Sequence, residues 1–333
     1  MERTHRMKAW QVTELGAPRQ ALRPAQLPRP EPGPGQLLVR VAASALNFPD
    51  VLLCAGLYQI RPPLPFTPGL ELCGRIEAFG EGVSGWTAGE RVIGNPILPG
   101  GAFAEYALMD AADAFRAPGS LGDEAAAALH IAYQTAWMGL HRRARIQPGE
   151  TLLVHAAAGG VGSAAIQVGR AAGARVVAVV GGPGKAEVAA KLGAHVVVDR
   201  REQDFVAVVK EFTGGRGADV VFDPVGGEAY TGSTKCVAFE GRIVVVGFAG
   251  GTVPAPALSH ALVKNYSILG LHWGLYRQRD PAQVAAAHAE LTALADRGVV
   301  APLVSGRLGF DDVPEGLSRL AAGDTTGRLV LVL

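Results

Sequence analysis

A glycine-rich run near the middle of the chain is typical of a phosphate-binding turn. Residues 152–154 are apolar and strand-like, residues 156–162 read Ala-Ala-Ala-Gly-Gly-Val-Gly, and helical apolar spacing follows. Small residues let backbone N–H groups approach a pyrophosphate, whose charge is stabilised at the positive end of the helix. Ala157 stands where the G-x-G-x-x-G pattern has its first glycine. The run predicts the strand–turn–helix unit of a dinucleotide-binding domain.

Alternating strand and helix patterns follow this turn. The predicted strands are residues 175–180, 195–199, 218–223, 241–247 and 264–270, and the predicted helices are residues 184–192, 202–212 and 227–239. The strands are rich in valine and isoleucine without alternation, as expected for parallel strands buried on both faces. The region is therefore an α/β Rossmann domain with a doubly wound parallel sheet, whose ligand lies at the carboxyl ends of the strands.

Length and composition exclude several classes of protein. A chain of 333 residues exceeds the ~250–300 at which single cores usually split, so two domains are expected. Lysine and arginine number 31 against 30 acids, and no basic run indicates nucleic-acid binding. No apolar stretch approaches the ~20 residues of a membrane span. Residues 1–6 lack the apolar core of a signal peptide and are interpreted as a disordered extension. Three separated cysteines favour a reducing cytoplasm.

The first ~130 residues have a different pattern, typical of a mainly β domain by turn and strand signals. Prolines between residues 24 and 34 rule out a helix there, and residues 36–43, 72–79 and 90–94 are predicted strands. Residues 281–298 form an amphipathic helix, and strands at 301–309 and 328–333 are expected to return to the first domain. The predicted domains are residues 7–127, completed by 271–333, and the Rossmann domain at residues 128–270.

Short motifs throughout the chain resemble the medium-chain dehydrogenase/reductase superfamily, specifically its zinc-independent quinone oxidoreductase branch. The matching pieces are Asn47-Phe48-Pro49-Asp50, Gly56-Leu57-Tyr58, Pro68-Gly69-Leu70-Glu71, Gly89-Glu90-Arg91-Val92, Thr135-Ala136, Pro148-Gly149-Glu150, the glycine-rich turn and Thr326-Gly327-Arg328. The resemblance implies a GroES-like β domain built from both chain ends, a Rossmann domain between them, and a reductase site in the cleft. It also implies NADPH as hydride donor and a homodimer.

The residues at the family's metal positions argue against zinc. By alignment to the zinc-dependent relatives, Asn47 takes the place of the first cysteine ligand and Leu70 that of the histidine, and residues 129–132 contain no cysteine. Amide and isobutyl groups cannot replace thiolate and imidazole in a tetrahedral zinc site. His130, His155 and His272 are assigned packing or turn roles. Without a Lewis acid, the expected reaction is hydride transfer to quinones or conjugated carbonyls, which delocalise the arriving charge.

The NADPH-binding residues follow from the turn and from the resemblance. The second strand ends in Val180-Gly181-Gly182-Pro183, where an NAD-preferring domain has an acid that would repel a 2′-phosphate. Lys185 matches the family's phosphate-binding lysine, and Arg200 replaces a family tyrosine; two cations suit one phosphate. The complete predicted cofactor set is Asn47, Thr135, Gly159, Gly160, Val161, Gly162, Gly181, Lys185, Arg200, Phe248, Ala249 and Arg328.

Tyr58 is the strongest catalytic candidate, together with Asn47. Related enoyl reductases carry a tyrosine in this setting as a proton donor, whereas in quinone reductases it is a wall of the substrate pocket, which Trp273 is also expected to line. Three functions stay open: an NADPH-dependent quinone reductase, a reductase of α,β-unsaturated carbonyls or enoyl thioesters, and an NADPH-binding protein without enzyme activity.

Overall fold

The computed structural model describes residues 6–333, which divide into two compact units. The first unit contains residues 6–131 and 301–333, and the second contains residues 132–300. Residues 1–5 of the predicted N-terminal extension lie outside the described residues. Arg6, the last residue of that prediction, is the first residue of a strand and pairs with Pro28.

The described chain contains strands from one end to the other. They are β1 (Arg6–Val12), β2 (Leu22–Pro28), β3 (Gln36–Ala45), β4 (Leu72–Phe79), β5 (Arg91–Gly94), β6 (Tyr106–Asp110), β7 (Phe115–Arg116), β8 (Thr151–Val154), β9 (Arg175–Val180), β10 (Val196–Asp199), β11 (Ala218–Asp223), β12 (Val237–Val245), β13 (Ser267–Gly270), β14 (Val304–Leu308) and β15 (Arg328–Val332).

The helices cluster in the second half of the chain. They are α1 (Pro18–Ala21), α2 (Phe48–Cys54), α3 (Asp123–Trp137), α4 (Gly160–Ala171), α5 (Pro183–Lys191), α6 (Phe205–Phe212), α7 (Gly227–Cys236), α8 (Leu258–Lys264), α9 (Trp273–Arg279), α10 (Pro281–Asp296) and α11 (Val313–Ala321). A π-helical turn at Met138–Arg143 continues α3, and a 3₁₀ turn at Phe310–Asp312 precedes α11.

The first unit is built around a seven-stranded sheet to which both ends of the chain contribute. Its order is β14-β15-β3-β4-β5-β7, with β6 also paired to β3, and β1 and β2 form a separate hairpin. β15 pairs antiparallel with β3, so the last strand of the chain lies beside an early one, as the sequence predicts. The prolines of β2 are accommodated because this strand pairs only with β1 in the described sheet and needs few backbone donors.

The second unit is a six-stranded parallel sheet in the order β10-β9-β8-β11-β12-β13. The four residues of β8 and most of β9 are buried, because helices cover both faces of such a sheet. Strand order reverses between β8 and β11, and ligands of doubly wound sheets bind outside the carboxyl ends of the strands at this point. The predicted GroES-like and Rossmann-type α/β fold class is confirmed.

Some elements differ from the sequence prediction. Residues 237–239 were predicted to end a helix, but β12 already begins at Val237, which pairs with Ala218. α8 was not predicted, because its large apolar side chains are exposed and give no amphipathic pattern. Residues 271–300 were assigned to the β domain, whereas their contacts group them with the parallel sheet. One hydrogen bond agrees with this grouping: Gln134 Nε2 donates to the carbonyl of Val284 in α10 at 3.1 Å.

Candidate functional site

The glycine-rich turn joins β8 to α4 at the point where strand order reverses. A Cβ built on Gly162 would lie 2.2 Å from the backbone oxygen of Ala156, so only glycine lets the start of the helix lie this close to the turn. Gly159 precedes the helix, and no side chain caps its N-terminus. The first-turn N–H groups of α4 are therefore available for an anion, which the helix dipole also favours.

An alanine is tolerated at residue 157, where the first glycine of the pattern is expected, because the positive φ angle of this turn lies at residue 156. Ala156 has φ of +47°, whereas Ala157 is fully buried and its N–H donates to the carbonyl of Val179 at 3.1 Å. The turn thus closes onto the neighbouring strand β9 without a glycine at residue 157.

Two arginines lie against the two glycines that follow β9. A Cβ on Gly181 would lie 3.3 Å from Arg200 Nε, and one on Gly182 would lie 3.0 Å from Arg201 Nη1. Lys185 is half-buried in the first turn of α5. Two cationic side chains therefore lie at the carboxyl end of β9, and a third cationic residue stands in the first turn of the helix that follows it.

Asp199, which directly precedes the two arginines in the chain, is held by backbone groups. Its Oδ1 accepts hydrogen bonds from the N–H groups of Gly182 at 2.9 Å and Arg201 at 3.0 Å. These bonds, with smaller contributions from Arg201 and Arg200, lower the pKa of Asp199. The carboxylate therefore fixes the β9–α5 turn and positions Arg201.

The loops after β11 and β12 are joined by backbone hydrogen bonds. The N–H of Ala249 donates to the carbonyl of Pro224 at 3.0 Å, and Asp223 Oδ1 accepts from the N–H groups of Val225 and Gly226 at 2.8 and 3.0 Å. Phe248 is partly exposed in this loop. The carboxyl ends of β8, β9, β10 and β12 thus carry most of the cofactor residues predicted for this unit. Thr135 lies buried in α3, and Trp273 lies buried at the start of α9.

The histidine that follows β8 has a structural environment. His155 is buried, and its Nε2 lies 2.8 Å from Ser233 Oγ, which itself donates to the carbonyl of Ala229 at 2.7 Å. Ser233 can therefore only accept from the imidazole, whose ring also meets Phe205 edge-on. Burial, opposed in part by the nearby Asp223, lowers the pKa of His155 to about 4, so the side chain is neutral at physiological pH. This agrees with the packing role assigned to it.

The first unit contains a buried polar network around Asn47. Asn47, Asp50, Glu71 and Arg328 are each at most 4% exposed. Asn47 Nδ2 donates to Glu71 Oε1 at 2.9 Å and to the carbonyl of Ala45 at 3.1 Å, while Arg328 Nη2 donates to Asn47 Oδ1 at 2.9 Å and also to Glu71. Because arginine has only donors, the orientation of the Asn47 amide is fixed by its partners.

This network leaves Asn47 with little capacity for further binding. Both amide donors are used within the protein, so a bound molecule can reach only a remaining lone pair of Oδ1. Glu71 is similarly committed, since its second oxygen accepts from the N–H of Ile131 at 2.8 Å. Burial raises the pKa of Glu71, and Arg328, Ile131 and Asn47 oppose this increase.

Asp50 forms the second part of the network and ties two loops together. Its Oδ2 accepts a hydrogen bond at 2.8 Å from the N–H of Asn47, the N-cap residue of α2. Its Oδ1 accepts a hydrogen bond at 3.0 Å from the N–H of Gly69. Burial raises the pKa of Asp50 to about 7 despite these bonds.

Burial and then the charge of Asp50 also raise the pKa of Tyr58, which is half-buried against the apolar core of this unit. The Tyr58 phenol is therefore protonated at neutral pH.

Comparison with known proteins identifies the family. The alcohol dehydrogenase GroES-like domain matches residues 33–119, and the zinc-binding dehydrogenase domain matches residues 160–290. Quinone oxidoreductase-like protein 2 of Mus musculus is 36% identical over 307 residues, which are 92% of this chain and 87% of that protein. The chain belongs to the medium-chain dehydrogenase/reductase family, in its quinone oxidoreductase branch. It is an oxidoreductase of that family.

Solved structures of this family superpose over nearly the whole chain. A mycobacterial protein in complex with NADPH has a TM-score of 0.91 and 32% identity, covering 98% of this chain and 100% of that one. The CurK enoyl reductase has a TM-score of 0.88 and 28% identity, covering 98% of this chain and 99% of that one.

The family's zinc positions hold no cluster of metal ligands in this medium-chain dehydrogenase/reductase. Over residues 6–333, no group of three or more histidine, cysteine or acidic side chains is arranged to hold a metal ion. Leu70 is half-buried against the apolar core, and its carbonyl accepts from Asn95 Nδ2 at 2.7 Å. His130 Nε2 lies 2.9 Å from Asn95 Oδ1, whereas His272 is exposed.

No helix between residues 6 and 333 is both long enough and apolar enough to cross a membrane.

Three functional candidates were missed by the sequence analysis. Asp50 and Glu71 were quoted as motif residues but given no role, although a lone acid in an apolar stretch is a signal for a buried, paired charge. Arg201 was overlooked beside Arg200, although two consecutive arginines directly after a strand place both side chains near its carboxyl end.

Proposed function

We propose that the protein is a zinc-independent, NADPH-dependent oxidoreductase that transfers hydride to quinones. The observation that carries this proposal is the carboxyl end of β9, where Arg200 and Arg201 lie against two glycines, Lys185 stands in the first turn of the following helix, and no acid ends the strand. An acid at that position would favour NAD, and clustered cations suit the 2′-phosphate of NADP. The mycobacterial neighbour in complex with NADPH supports the same choice.

The residues present fit such a cofactor. Gly159, Gly160, Val161 and Gly162 would hold the pyrophosphate through backbone N–H groups, and Lys185, Arg200 and Arg201 would hold the 2′-phosphate. We assign the nicotinamide end to Thr135, Phe248 and Ala249 within the second unit, and the cofactor roles of Asn47 and Arg328 stay predictions from the sequence. The chemistry that bound NADPH supplies is hydride donation, for which the protein provides position and charge.

Zinc independence rests on the chemistry at Asn47. The amide that replaces a cysteine ligand already donates to Glu71 and Ala45 and accepts from Arg328. A zinc ion beside it would face the Arg328 guanidinium and would find an isobutyl group at Leu70. Such a site lacks thiolate and imidazole ligands.

The second candidate function is reduction of conjugated alkenes, with Tyr58 as proton donor to carbon; the enoyl reductase neighbour supports it. Tyr58 also separates the two candidates. A general acid works best with a pKa near the operating pH, and burial moves the pKa of Tyr58 away from neutrality. Quinone reduction places both protons on oxygens that exchange with water, so it needs no such donor. We therefore favour the quinone as acceptor and propose Tyr58 as a wall residue of its pocket, and the pocket role of Trp273 stays a prediction from the sequence.

The deciding experiment measures NADPH oxidation with one quinone and one enone. We expect quinone turnover that is unchanged by strong chelator, with NADPH preferred to NADH. Tyr58→Phe should leave quinone turnover nearly unchanged; a loss of ~10²–10⁴-fold in enone turnover would mark an alkene reductase. Tyr106→Phe is the matched control. Absence of turnover with every acceptor would favour an NADPH-binding protein without activity, and about one tightly held zinc per chain would contradict the metal-free assignment.

We further propose that the protein forms a homodimer in the cytoplasm. α8 exposes the apolar side chains of Leu258, Leu262 and Val263 by 74%, 77% and 78%. An exposed apolar helix face is typical of an association surface. Cys54, Cys73 and Cys236 are free thiols, as expected in a reducing compartment. Light scattering at several concentrations, with Leu262→Glu as the disrupting variant, tests the dimer.

A further inference from the structure

A basic pocket lies on the parallel-sheet unit, away from the glycine-rich turn. Its volume is about 560 Å³, and its lining includes Arg142, Arg143, Arg145 and Arg242 together with Ser267 and Tyr276. Among the residues that the structure describes, no carboxylate lines it. The pocket is open to solvent, so a ligand would lie against the arginine side chains and would not be enclosed. Its charge is unexpected in a chain with 31 basic and 30 acidic residues.

Arg242 forms a fixed part of the pocket wall. Its Nη1 and Nη2 each donate to a Glu150 oxygen at 2.8 Å, which neutralises its charge, and its Nε donates to the carbonyl of Ala144 at 2.9 Å. Ala144 is buried, whereas its two neighbours in the chain, Arg143 and Arg145, are exposed. The Glu150–Arg242 pair therefore anchors the segment that presents the other arginines.

The remaining arginines are presented to solvent by this anchored segment. Arg143 Nε donates to the carbonyl of Gly270 at 3.0 Å, which leaves its terminal nitrogens for other partners. Arg145 has φ of +51°, a conformation that glycine adopts more easily than arginine, and Gln147 Nε2 donates to its carbonyl at 2.8 Å. This left-handed residue ends the π-helical turn, where the N–H of Ile146 donates to the carbonyl of Leu140 at 2.9 Å, so the end of the turn fixes the backbone from which the Arg145 side chain extends.

The pocket is separate from the proposed cofactor site within the same unit. Arg242 contacts Glu150, which precedes β8, whereas the glycine-rich turn follows β8. The pocket lies along β13, three strands from β8 in the sheet order, while Lys185 and Arg200 follow β9 and β10 on the other side. One ligand at the carboxyl ends of β8 and β9 does not explain the arginines beside β13.

We infer that this arginine pocket binds a small phosphate-bearing molecule. Guanidinium groups pair with phosphate oxygens through two parallel hydrogen bonds, and several of them around one cavity suit a compact, multiply charged anion. Ser267 offers a hydroxyl and Tyr276 an aromatic ring to the uncharged part of such a ligand. The inference does not depend on the hydride acceptor or on the cofactor preference proposed above.

The test is calorimetric titration of inorganic pyrophosphate into the full-length protein saturated with NADPH. We expect one site per chain, weakened by added salt because exposed charges are screened. The double variant Arg142→Gln/Arg145→Gln should bind pyrophosphate about a hundredfold more weakly, at roughly tenfold for each lost charge-assisted contact. Its NADPH oxidation should be unchanged.

Control variants separate this site from others. Arg40→Gln/Arg61→Gln removes the same charge from exposed positions of the first unit, and Lys185→Ala alters the cofactor site; both should bind pyrophosphate like the wild type. Loss of pyrophosphate binding when NADPH is added would place the anion in the cofactor site and overturn the inference. Equal binding by the Arg142/Arg145 double variant would also overturn it, and citrate binding as tight as pyrophosphate binding would contradict the assignment to phosphate.

Discussion

The two units carry candidate functional groups of opposite kinds. In the first, the polar network of Asn47, Asp50, Glu71 and Arg328 is made of side chains that are almost completely buried and hydrogen-bonded to one another. In the second, the glycine-rich turn is made of backbone groups, and its cations are wholly or partly exposed. In the buried network, each side chain is held in place by hydrogen bonds to the others. In the glycine-rich turn, the absence of side chains lets the backbone N–H groups come close to a ligand. The first should therefore be sensitive to stability, and the second to ligand and salt.

The largest effect is expected from breaking the buried ion pair. Arg328→Met removes the cation that favours the ionised form of the buried Glu71, so this carboxyl group is left either unpaired or protonated, and the free energy of unfolding should fall by about 3–5 kcal/mol. The double variant Glu71→Gln/Arg328→Met should recover part of this loss, because no unpaired charge remains. Urea denaturation measures both.

The control is Arg307→Met, which breaks the exposed pair with Glu124 in the same unit. Exposed pairs contribute about 0–1 kcal/mol, so this variant should unfold almost like the wild type. Similar losses for Arg328→Met and Arg307→Met would contradict the description of a buried, mutually dependent network.

The second prediction concerns pH and tests Asp50. Burial raises its pKa from 3.8 in the unfolded chain to about 7, so the native state holds a proton that the unfolded state releases between these values. The free energy of unfolding should therefore decrease as pH rises from 4 to 7, with a contribution from Asp50 of at most ~1.4 kcal/mol per pH unit. Asp50→Asn should flatten this slope in chemical denaturation, and exposed Asp311→Asn should not. An unchanged slope in Asp50→Asn would show that Asp50 is ionised throughout.

In the second unit the expected effect is on ligand binding. Lys185→Ala should weaken NADPH binding about tenfold to a hundredfold, from the roughly 1.5–3 kcal/mol of one charge-assisted contact, without changing NADH binding. Arg201→Ala should have an effect of the same direction. Fluorescence titration of both cofactors measures this, with Lys191→Ala, at the other end of α5, as control. Equal NADPH affinity in Lys185→Ala and wild type would remove Lys185 from the site.

The smallest effects on the free energy of unfolding are expected in the glycine-rich turn after β8. Ala156 has a positive φ, so Ala156→Gly should raise the free energy of unfolding by about 1 kcal/mol. Ala157→Gly should lower it by about 0.5–1 kcal/mol, because glycine at this buried position only adds freedom to the unfolded chain. Thermal unfolding of the two variants distinguishes the positions; opposite signs would place the strained residue at Ala157.

Agreement between sequence and structure is closest where the signal is local. β9 and β11 begin and end at the predicted residues, because valine-rich runs bounded by glycine and helix signals are characteristic of buried parallel strands. The helix predicted over residues 237–239 is wrong because helix and strand propensities overlap there. These residues form a strand because Val237 pairs with Ala218. The glycine-rich turn after β8 and the glycines after β9, which we assign to the cofactor, depend on equally local patterns.

The sequence by itself determined the two fold types, the strand–turn–helix unit and the candidate cations that follow β9 and β10. These features depend on residues that lie within about ten positions of one another in the chain, and such residues are close together in space whatever the rest of the fold. Only the tertiary structure decided which distant side chains share charge: Arg328 reaches Asn47 across 281 positions of sequence, and Arg242 reaches Glu150 across 92. Hydrogen bonding and burial of such pairs depend on how sheets bring separate strands together, and no periodicity in one segment records the partner in another.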